Sequence, residues 1–230
     1  MSEGGGFEEV GDRYGEQLAR GLRLTGYPAS HFAARRIARV SELTTKFGVA
    51  VGAVLDFGCG TGESLALLRA AFPGARVLGY EPAAQMRDAA RTAAAAAGAE
   101  VLDADKLSLN AEVDLVYCNG VFHHIARAER ITAIASLAHA LRPGGLACIW
   151  ENSPLNPGTR LVMARIPFDR DAILLGPQEL EVLELSAGLT PVATEFHFVF
   201  PRLLSFLEPL ESRLRAVPLG GQYLVAGRRG

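Results

Sequence analysis

Cysteine is scarce in this chain of 230 residues, and the three present, Cys59, Cys118 and Cys148, lie far apart. They lack the close ligand pairs of a zinc site. Two of them fall inside apolar strand patterns, which fits free thiols buried in a reducing cytoplasm. Basic charge is not in excess either: the formal net charge of −2 argues against a dedicated nucleic-acid binder. No window holds about 18 uninterrupted apolar residues, so no membrane span is expected. The opening segment, Met1 to Gly6, is polar and acidic, unlike the positive start of a secretory signal. There is no Pro-Cys pair of the kind that DNA cytosine chemistry uses as a nucleophile. Together these absences predict a cytoplasmic protein with no nucleic-acid partner, no membrane span and no metal. With 49% hydrophobic and 21% charged residues, the composition is that of an ordinary globular enzyme of one or two domains.

The richest stretch is Val54-Leu55-Asp56-Phe57-Gly58-Cys59-Gly60-Thr61-Gly62. It reads as a buried strand that ends in an acid and a glycine-rich turn, with a helix opening at Glu63. A second apolar strand, Arg76 to Tyr80, ends at Glu81-Pro82. This is a nucleoside-binding βαβ unit, in which glycines admit a ligand close to the backbone and the second carboxylate accepts from two ribose hydroxyls. The glycines run G-x-G-x-G, not G-x-G-x-x-G, and Glu63 stands where a pyrophosphate would have to sit. With Asp56 adding negative charge, the turn suits a ligand with a cationic amino-acid end and an unphosphorylated ribose. S-adenosylmethionine meets that description better than a nicotinamide dinucleotide.

The chain divides into three parts, a helical segment before residue 51, a cofactor half over 51–151 and a tail over 152–230. Residues 1–50 form an N-terminal segment with helical spacing through Leu18, Leu22, Phe32, Ile37 and Val40, broken near Gly26-Tyr27-Pro28. Residues 51–230 read as one domain. Within it the expected elements are a helix from Glu63 to Ala71, a helix from Ala83 to Ala97 stopped by Gly98, and a strand from Glu100 to Asp103. A short loop or single turn then leads to a strand over Val113 to Cys118, followed by a helix from Arg127 to Leu141. Leu141-Arg142-Pro143-Gly144-Gly145 reads as a helix stop and tight turn before a strand from Leu146 to Glu151. The tail shows a helix over Pro177 to Ala187, a strand over Pro191 to Phe200, helical spacing from Arg202 to Arg215 and a strand over Gln222 to Ala226.

From about residue 50 to 227 the ordered motifs resemble the class I S-adenosylmethionine-dependent methyltransferases of small-molecule type, whose first motif, D/E-x-G-x-G-x-G, stands here as Asp56 to Gly62. The resemblance implies a doubly wound, Rossmann-like α/β fold. Its seven-stranded sheet would have the order 3-2-1-4-5-7-6, mostly parallel with an antiparallel strand near the C-terminus. It also implies that the N-terminal helical segment is a lid, with Tyr14 and Tyr27 as pocket residues or as packing. The cofactor positions it implies are Asp56, Gly58, Cys59, Gly60, Gly62, Glu81, Pro82 and Met86, then Asp103 and Ala104 at the adenine, with Asp105 as a substitute. Asn119, Gly120 and Val121 follow the fourth strand beside the methionine part.

His123 and His124 are common at this place among small-molecule members, where either serves as a general base or simply ties the loop. Glu151 would orient the acceptor or take a proton. Asn152 and Asn156 would hold a polar substrate or pin their loop through Asx turns. Arg165, within a loop from Thr159 to Leu175, would meet an anionic group, while Asp169 and Asp171 would neutralise the neighbouring arginines. His197 reads as a satisfied strand histidine. The expected activity is in-line methyl transfer; the alternative is the same fold repurposed as a cyclase or a non-methylating cofactor-binding subunit.

Overall fold

β1 (Ala53–Phe57) is buried along its whole length, and β4 (Val113–Asn119) nearly so. Strands of that kind need cover on both faces, and the chain supplies helices on both. Pleating sends alternate side chains to opposite sides. Leu55, Leu78, Val116, Ile149 and Val225 face α5 (Arg130–Ala140) and α7 (Pro177–Ser186) through Ile134, Leu137, Leu180 and Leu183. Val54, Val77, Leu115, Cys148 and Leu224 face the other way, toward α2 (Ala29–Lys46), α3 (Glu63–Ala71) and α4 (Ala84–Ala97). The computed structural model describes residues 14–103 and 112–230.

The remaining strands are β2 (Arg76–Tyr80), β3 (Glu100–Val101), β5 (Leu141–Asn152), β6 (Leu189–His197) and β7 (Gln222–Arg229). They form one sheet in the order β3-β2-β1-β4-β5-β7-β6, with β7 antiparallel to both neighbours. This is the expected order. The order reverses between β1 and β4, which opens a crevice at their carboxyl ends. α1 (Tyr14–Leu22) lies beyond that edge, close to a later segment: a Cβ added at Gly21 would stand 2.4 Å from Ile166 Cγ1.

Several boundaries differ from expectation. The Pro-Gly-Gly segment is not a turn ahead of β5 but a bulge within it. Val113 pairs with Leu141 and Leu115 with Leu146, so residues 142–145 are pushed out, and Gly144 takes a φ of 82°. β3 is two residues long. β6 stops at His197 because Phe198 carries a φ of 63°, outside any strand conformation. β7 runs on to Arg229, and α5 is preceded by a 3-10 turn over Arg127–Glu129. The loop expected after Thr159 begins inside a helix, α6 (Pro157–Met163), where Asn156 Oδ1 accepts from the Thr159 N–H at 3.1 Å and Pro157 opens the first turn. Arg202–Leu210 is 3-10 and contains Pro209, and only Glu211–Leu214 (α8) is α-helical. The connection expected after β3 falls in residues 104–111, outside the described residues.

One core position is at odds with its surroundings. Glu184 of α7 is fully buried, and neither carboxyl oxygen has a hydrogen-bond partner. It lies beneath Gly227, whose missing side chain makes room for it: an added Cβ would be 2.6 Å from Oε2. Burial, and then the charge of Glu181, push its pKa up to about 8. Cys148 on the facing strand is a buried thiol and brings no compensating charge. The folded state therefore holds this proton to higher pH than the unfolded state. Glu184's stabilising share is complete below the ordinary carboxyl range and is lost as pH rises through about 8. Glu184→Gln should accordingly gain on the natural chain by an amount on the order of a few kcal/mol between about pH 6 and about pH 9. Denaturant melts of both proteins at the two pH values would measure this; parallel pH profiles would refute it.

Candidate active site

The turn after β1 is held to the end of β2: the N–H groups of Gly58 and Cys59 both donate to Tyr80 O, at 2.8 and 3.0 Å. Gly58, Gly60 and Gly62 all have positive φ, at 76°, 56° and 86°. Their surroundings separate their roles. A Cβ on Gly58 would stand 2.4 Å from Val121 Cγ2, so Gly58 permits the close approach of the loop after β4. A Cβ on Gly60 would meet nothing within 4 Å, because Gly60 borders a cavity of about 1100 Å³. Gly62 packs on Ala90 and Ala93 of α4, and the Cys59 side chain turns into the core beside Gly79. Neither lines the cavity.

Glu81 closes the other side of the turn. Its carboxylate accepts from the N–H of Gly60 and of Ala83, each at 2.9 Å, and it borders the cavity with Pro82 and Met86. Burial raises its pKa, and those two N–H groups partly offset the effect. Asp56 is 2% exposed, and its Oδ2 has no hydrogen-bond partner. Burial first, then the charge of Glu81, lift its pKa to about 8 against the pull of Arg36. Arg36 is buried on α2 and borders the cavity, with Nε donating to Tyr117 Oη at 3.1 Å and Nη1 to Gln222 Oε1 at 3.0 Å. Reading the sequence missed it. The available signal was a charge among Ala33, Ile37 and Val40, the buried positions of that helix.

Past β4, Asn119, Gly120 and Val121 line the cavity, and Asn119 Oδ1 is buried without a partner. Glu151 lies under this loop and is fully buried. Its Oε1 accepts from the N–H of Val121 and Phe122 at 3.0 and 2.7 Å, and its Oε2 meets His123 Nδ1 at 2.6 Å. It therefore anchors the loop and does not border the cavity, contrary to the expected contact with an acceptor. His123 and His124 do border it, with ring centroids 4.1 Å apart. Burial works against a charge on His123, but Glu151 and Asp169 outweigh it and raise its pKa to about 9. For His124, burial and then the charge on His123 lower it to about 4.

Asp169, expected to neutralise a neighbouring arginine, is paired with none among the described residues. It is buried, with Oδ1 at 3.7 Å from His123 Nε2 and 3.5 Å from His124 Nε2. Arg130, itself buried, secures this arrangement by donating to the carbonyls of Phe122, Ile125 and Ile173.

The other expected residues divide. Tyr27 lines the cavity, stacks on His31 at 3.9 Å and donates to Glu208. Asn152 and Asn156 line it too, but both amides have protein partners: Asn152 Oδ1 accepts from Gln222 at 3.1 Å, and Asn156 caps α6 and donates to Leu219 O at 2.6 Å. Arg165 is exposed, donates to Leu161 O and lies off the cavity. Asp103 also lies off it, paired with Arg91 at 2.7 Å. Tyr14 opens α1. Ala104 and Asp105 are outside the described residues. His197 is buried and satisfied by Glu195 Oε2 at 3.1 Å, against the edge of Trp150.

Residues 54–145 match a family described as a methyltransferase domain. Over those residues the chain carries a methyltransferase domain. Among its relatives, the trans-aconitate 2-methyltransferase of Azoarcus sp. (strain BH72) is 31% identical over 134 residues, covering 58% of this chain and 52% of that one. The demethylmenaquinone methyltransferase of Thermus thermophilus is 34% identical over 128 residues, covering 54% of this chain and 57% of its own length. The chain thus spans about half the length of the curated relatives it matches. A solved S-adenosylmethionine-dependent methyltransferase from Archaeoglobus fulgidus shares the fold at a TM-score of 0.64 and 15% identity, covering 88% of this chain and 95% of that one.

The glycine turn of the methyltransferase domain offers a direct comparison. Alanine at either Gly58 or Gly60 incurs the left-handed backbone cost of about 1–2 kcal/mol. Only Gly58→Ala also drives a Cβ into Val121. Gly58→Ala should therefore melt several degrees lower than Gly60→Ala, while Gly60→Ala should lose more nucleoside affinity. Thermal melting and S-adenosylhomocysteine titration of the two variants test this, and equal melting temperatures would contradict it.

Proposed function

We propose that this chain transfers the methyl group of S-adenosylmethionine to a small-molecule acceptor held in the apolar half of the cavity. The observation that carries the proposal is the pairing of a partnerless buried carboxyl oxygen, on Asp56, with a fixed cation, on Arg36, beneath the glycine turn. A zwitterionic amino-acid end supplies the complement: its carboxylate for Arg36, which borders the cavity, and its ammonium for the acidic patch made by Glu81 at the wall and Asp56 behind it. Glu81 accepts only one backbone N–H at each oxygen, so both oxygens keep acceptor capacity for the ribose hydroxyls. Gly60 leaves the backbone open to the nucleoside, Met86 and Pro82 supply apolar contact, and Asn119 Oδ1 offers a further acceptor near the amino-acid end.

The bound cofactor supplies a methyl carbon already activated by its sulfonium leaving group. The protein's share is then alignment of the acceptor with that carbon and exclusion of water, and alignment alone is worth up to several kcal/mol of barrier. Residues 14–50 act here as a lid. Leu18, Leu22 and Phe32 roof the cavity opposite Val162 and Ile166 and give the acceptor a mainly apolar bed. Thr159 and Gln222 add polar contacts at its floor. His123, His124 and Asp169 stand on the acceptor side, and Glu151 acts through His123. The relatives are named for trans-aconitate and for demethylmenaquinone, so kinship supports a small-molecule acceptor and leaves its identity to the lining of this cavity.

Calorimetric titration with S-adenosylmethionine and S-adenosylhomocysteine tests the cofactor assignment directly. Asp56→Asn and Glu81→Gln should each weaken binding by roughly ten- to a hundredfold, the worth of one hydrogen bond to a charged group. Binding of NADH in place of the sulfur nucleosides would overturn the assignment. Binding without S-adenosylhomocysteine release across a panel of acceptors would favour the non-methylating alternative.

A further inference from the structure

We propose that His123, His124 and Asp169 form a binding site for a divalent transition-metal ion, open on its remaining side to the acceptor half of the cavity. The two imidazoles and the carboxylate each offer one donor atom, and these atoms all lie within 4.8 Å of one another. The two edges that meet at Asp169 Oδ1 measure 3.7 and 3.5 Å. A tetrahedral ion with bonds of about 2.0–2.1 Å has edges of about 3.4 Å between its ligand atoms, so small side-chain adjustments close the set. Among the described residues no other group of His, Cys, Asp or Glu converges in this way.

Two further observations point to a ligand here and not merely to a polar cluster. Asp169 Oδ1 is buried and has no hydrogen-bond partner, although it is aimed between two imidazole rings. An ion at the centre would satisfy it. In addition, His123 meets Glu151 through Nδ1 at 2.6 Å and turns Nε2 toward the other donors. A carboxylate behind a histidine fixes the tautomer and strengthens the opposite nitrogen as a ligand, the usual outer arrangement of metal-binding histidines. A divalent ion would also balance the two carboxylates, Glu151 and Asp169, enclosed here. The rival arrangement without an ion has a charged imidazole serving as counterion. In that case Asp169 Oδ1 should sit at ordinary hydrogen-bond distance, but it stands farther off from both rings.

The donor set also selects the ion. Two nitrogens and one oxygen suit zinc, cobalt, manganese or ferrous iron, whereas magnesium and calcium prefer all-oxygen surroundings. Three protein ligands leave at least one position free on the cavity side. The atom fitted to that position is an acceptor oxygen, as in a phenol, an enol or a hydroxy acid. This last step rests on the methyl-transfer reading; the metal site itself does not.

The test uses the full chain, treated with a chelator and then titrated with cobalt(II) and zinc(II) chloride. The expected result is one equivalent bound, with the visible bands of low-coordinate cobalt and no thiolate charge-transfer band, which excludes Cys59, Cys118 and Cys148 as ligands. Asp169→Asn and His124→Gln should each weaken binding at least tenfold, and Glu151→Gln, acting through His123 and the loop it anchors, by roughly ten- to a hundredfold. Circular dichroism melts identify any variant that fails to fold, and the folded ones among the three carry the comparison. Absence of stoichiometric binding to the natural chain overturns the proposal, as does affinity unchanged in the folded variants. S-adenosylmethionine titration of the metal-free chain runs in parallel, so failure of the cofactor assignment is seen separately from failure of the metal site.

Discussion

Desolvation of carboxylates at the carboxyl edge of the sheet sets what the surrounding chain must supply. Asp56 near the end of β1, Glu81 just past β2 and Glu151 in β5 are all buried. A carboxylate taken out of water costs several kcal/mol unless hydrogen bonds or an opposite charge replace its hydration. The three are treated differently. Glu81 receives two backbone N–H groups, Glu151 receives two and an imidazole, and Asp56 has only the neighbouring Arg36 and one oxygen left over. The uneven treatment is informative: a buried oxygen without a partner calls for an explanation, and at Asp56 the proposed ligand supplies one where Glu184 has only its own proton.

The fold makes this edge available. Reversal of strand order between β1 and β4 keeps the helices following those two strands from closing over the gap, and the glycine turn keeps the backbone low on one side of it. On the other side, Glu151 holds the loop after β4 at two N–H groups, and Arg130 ties the same loop to Ile173. The walls are thus fixed by buried polar bonds, which are costly to break one at a time. The roof is of another kind. Leu18, Leu22 and Phe32 contribute non-directional apolar contact to the cavity, while Arg36 of the same segment is held to Tyr117 and Gln222.

What was legible in the sequence follows the same division. The strands, the glycine turn, the start of α3 and the Gly98 stop were readable because period and turn chemistry are local properties. The strand order came with the resemblance. The bulge in β5 was not readable, because a Pro-Gly-Gly segment fits a tight turn as well as a bulge, and only pairing with Val113 and Leu115 decides. Asp103 looked like a ligand acid from its place after a strand, yet a helix residue twelve positions upstream, Arg91, takes it up. Asp169 was misjudged for the converse reason: arginines surround it in sequence, while its spatial neighbours are histidines some 45 residues away. Partner choice over such separations depends on the tertiary fold and leaves no periodic trace.

This contrast separates the two halves of the site by the kind of information each contains. The half proposed for the cofactor is built largely from backbone donors and glycine conformations close to one βαβ unit, so a short motif specifies it. The half proposed for the acceptor is lined from α1, α2, the loop after β4, α6 and the segment at Asp169, which come together only in the tertiary fold. Substitutions in those elements change the acceptor bed without touching the glycine turn. In this chain, the convergence of His123, His124 and Asp169 on an otherwise apolar bed is the feature by which the acceptor half is set apart.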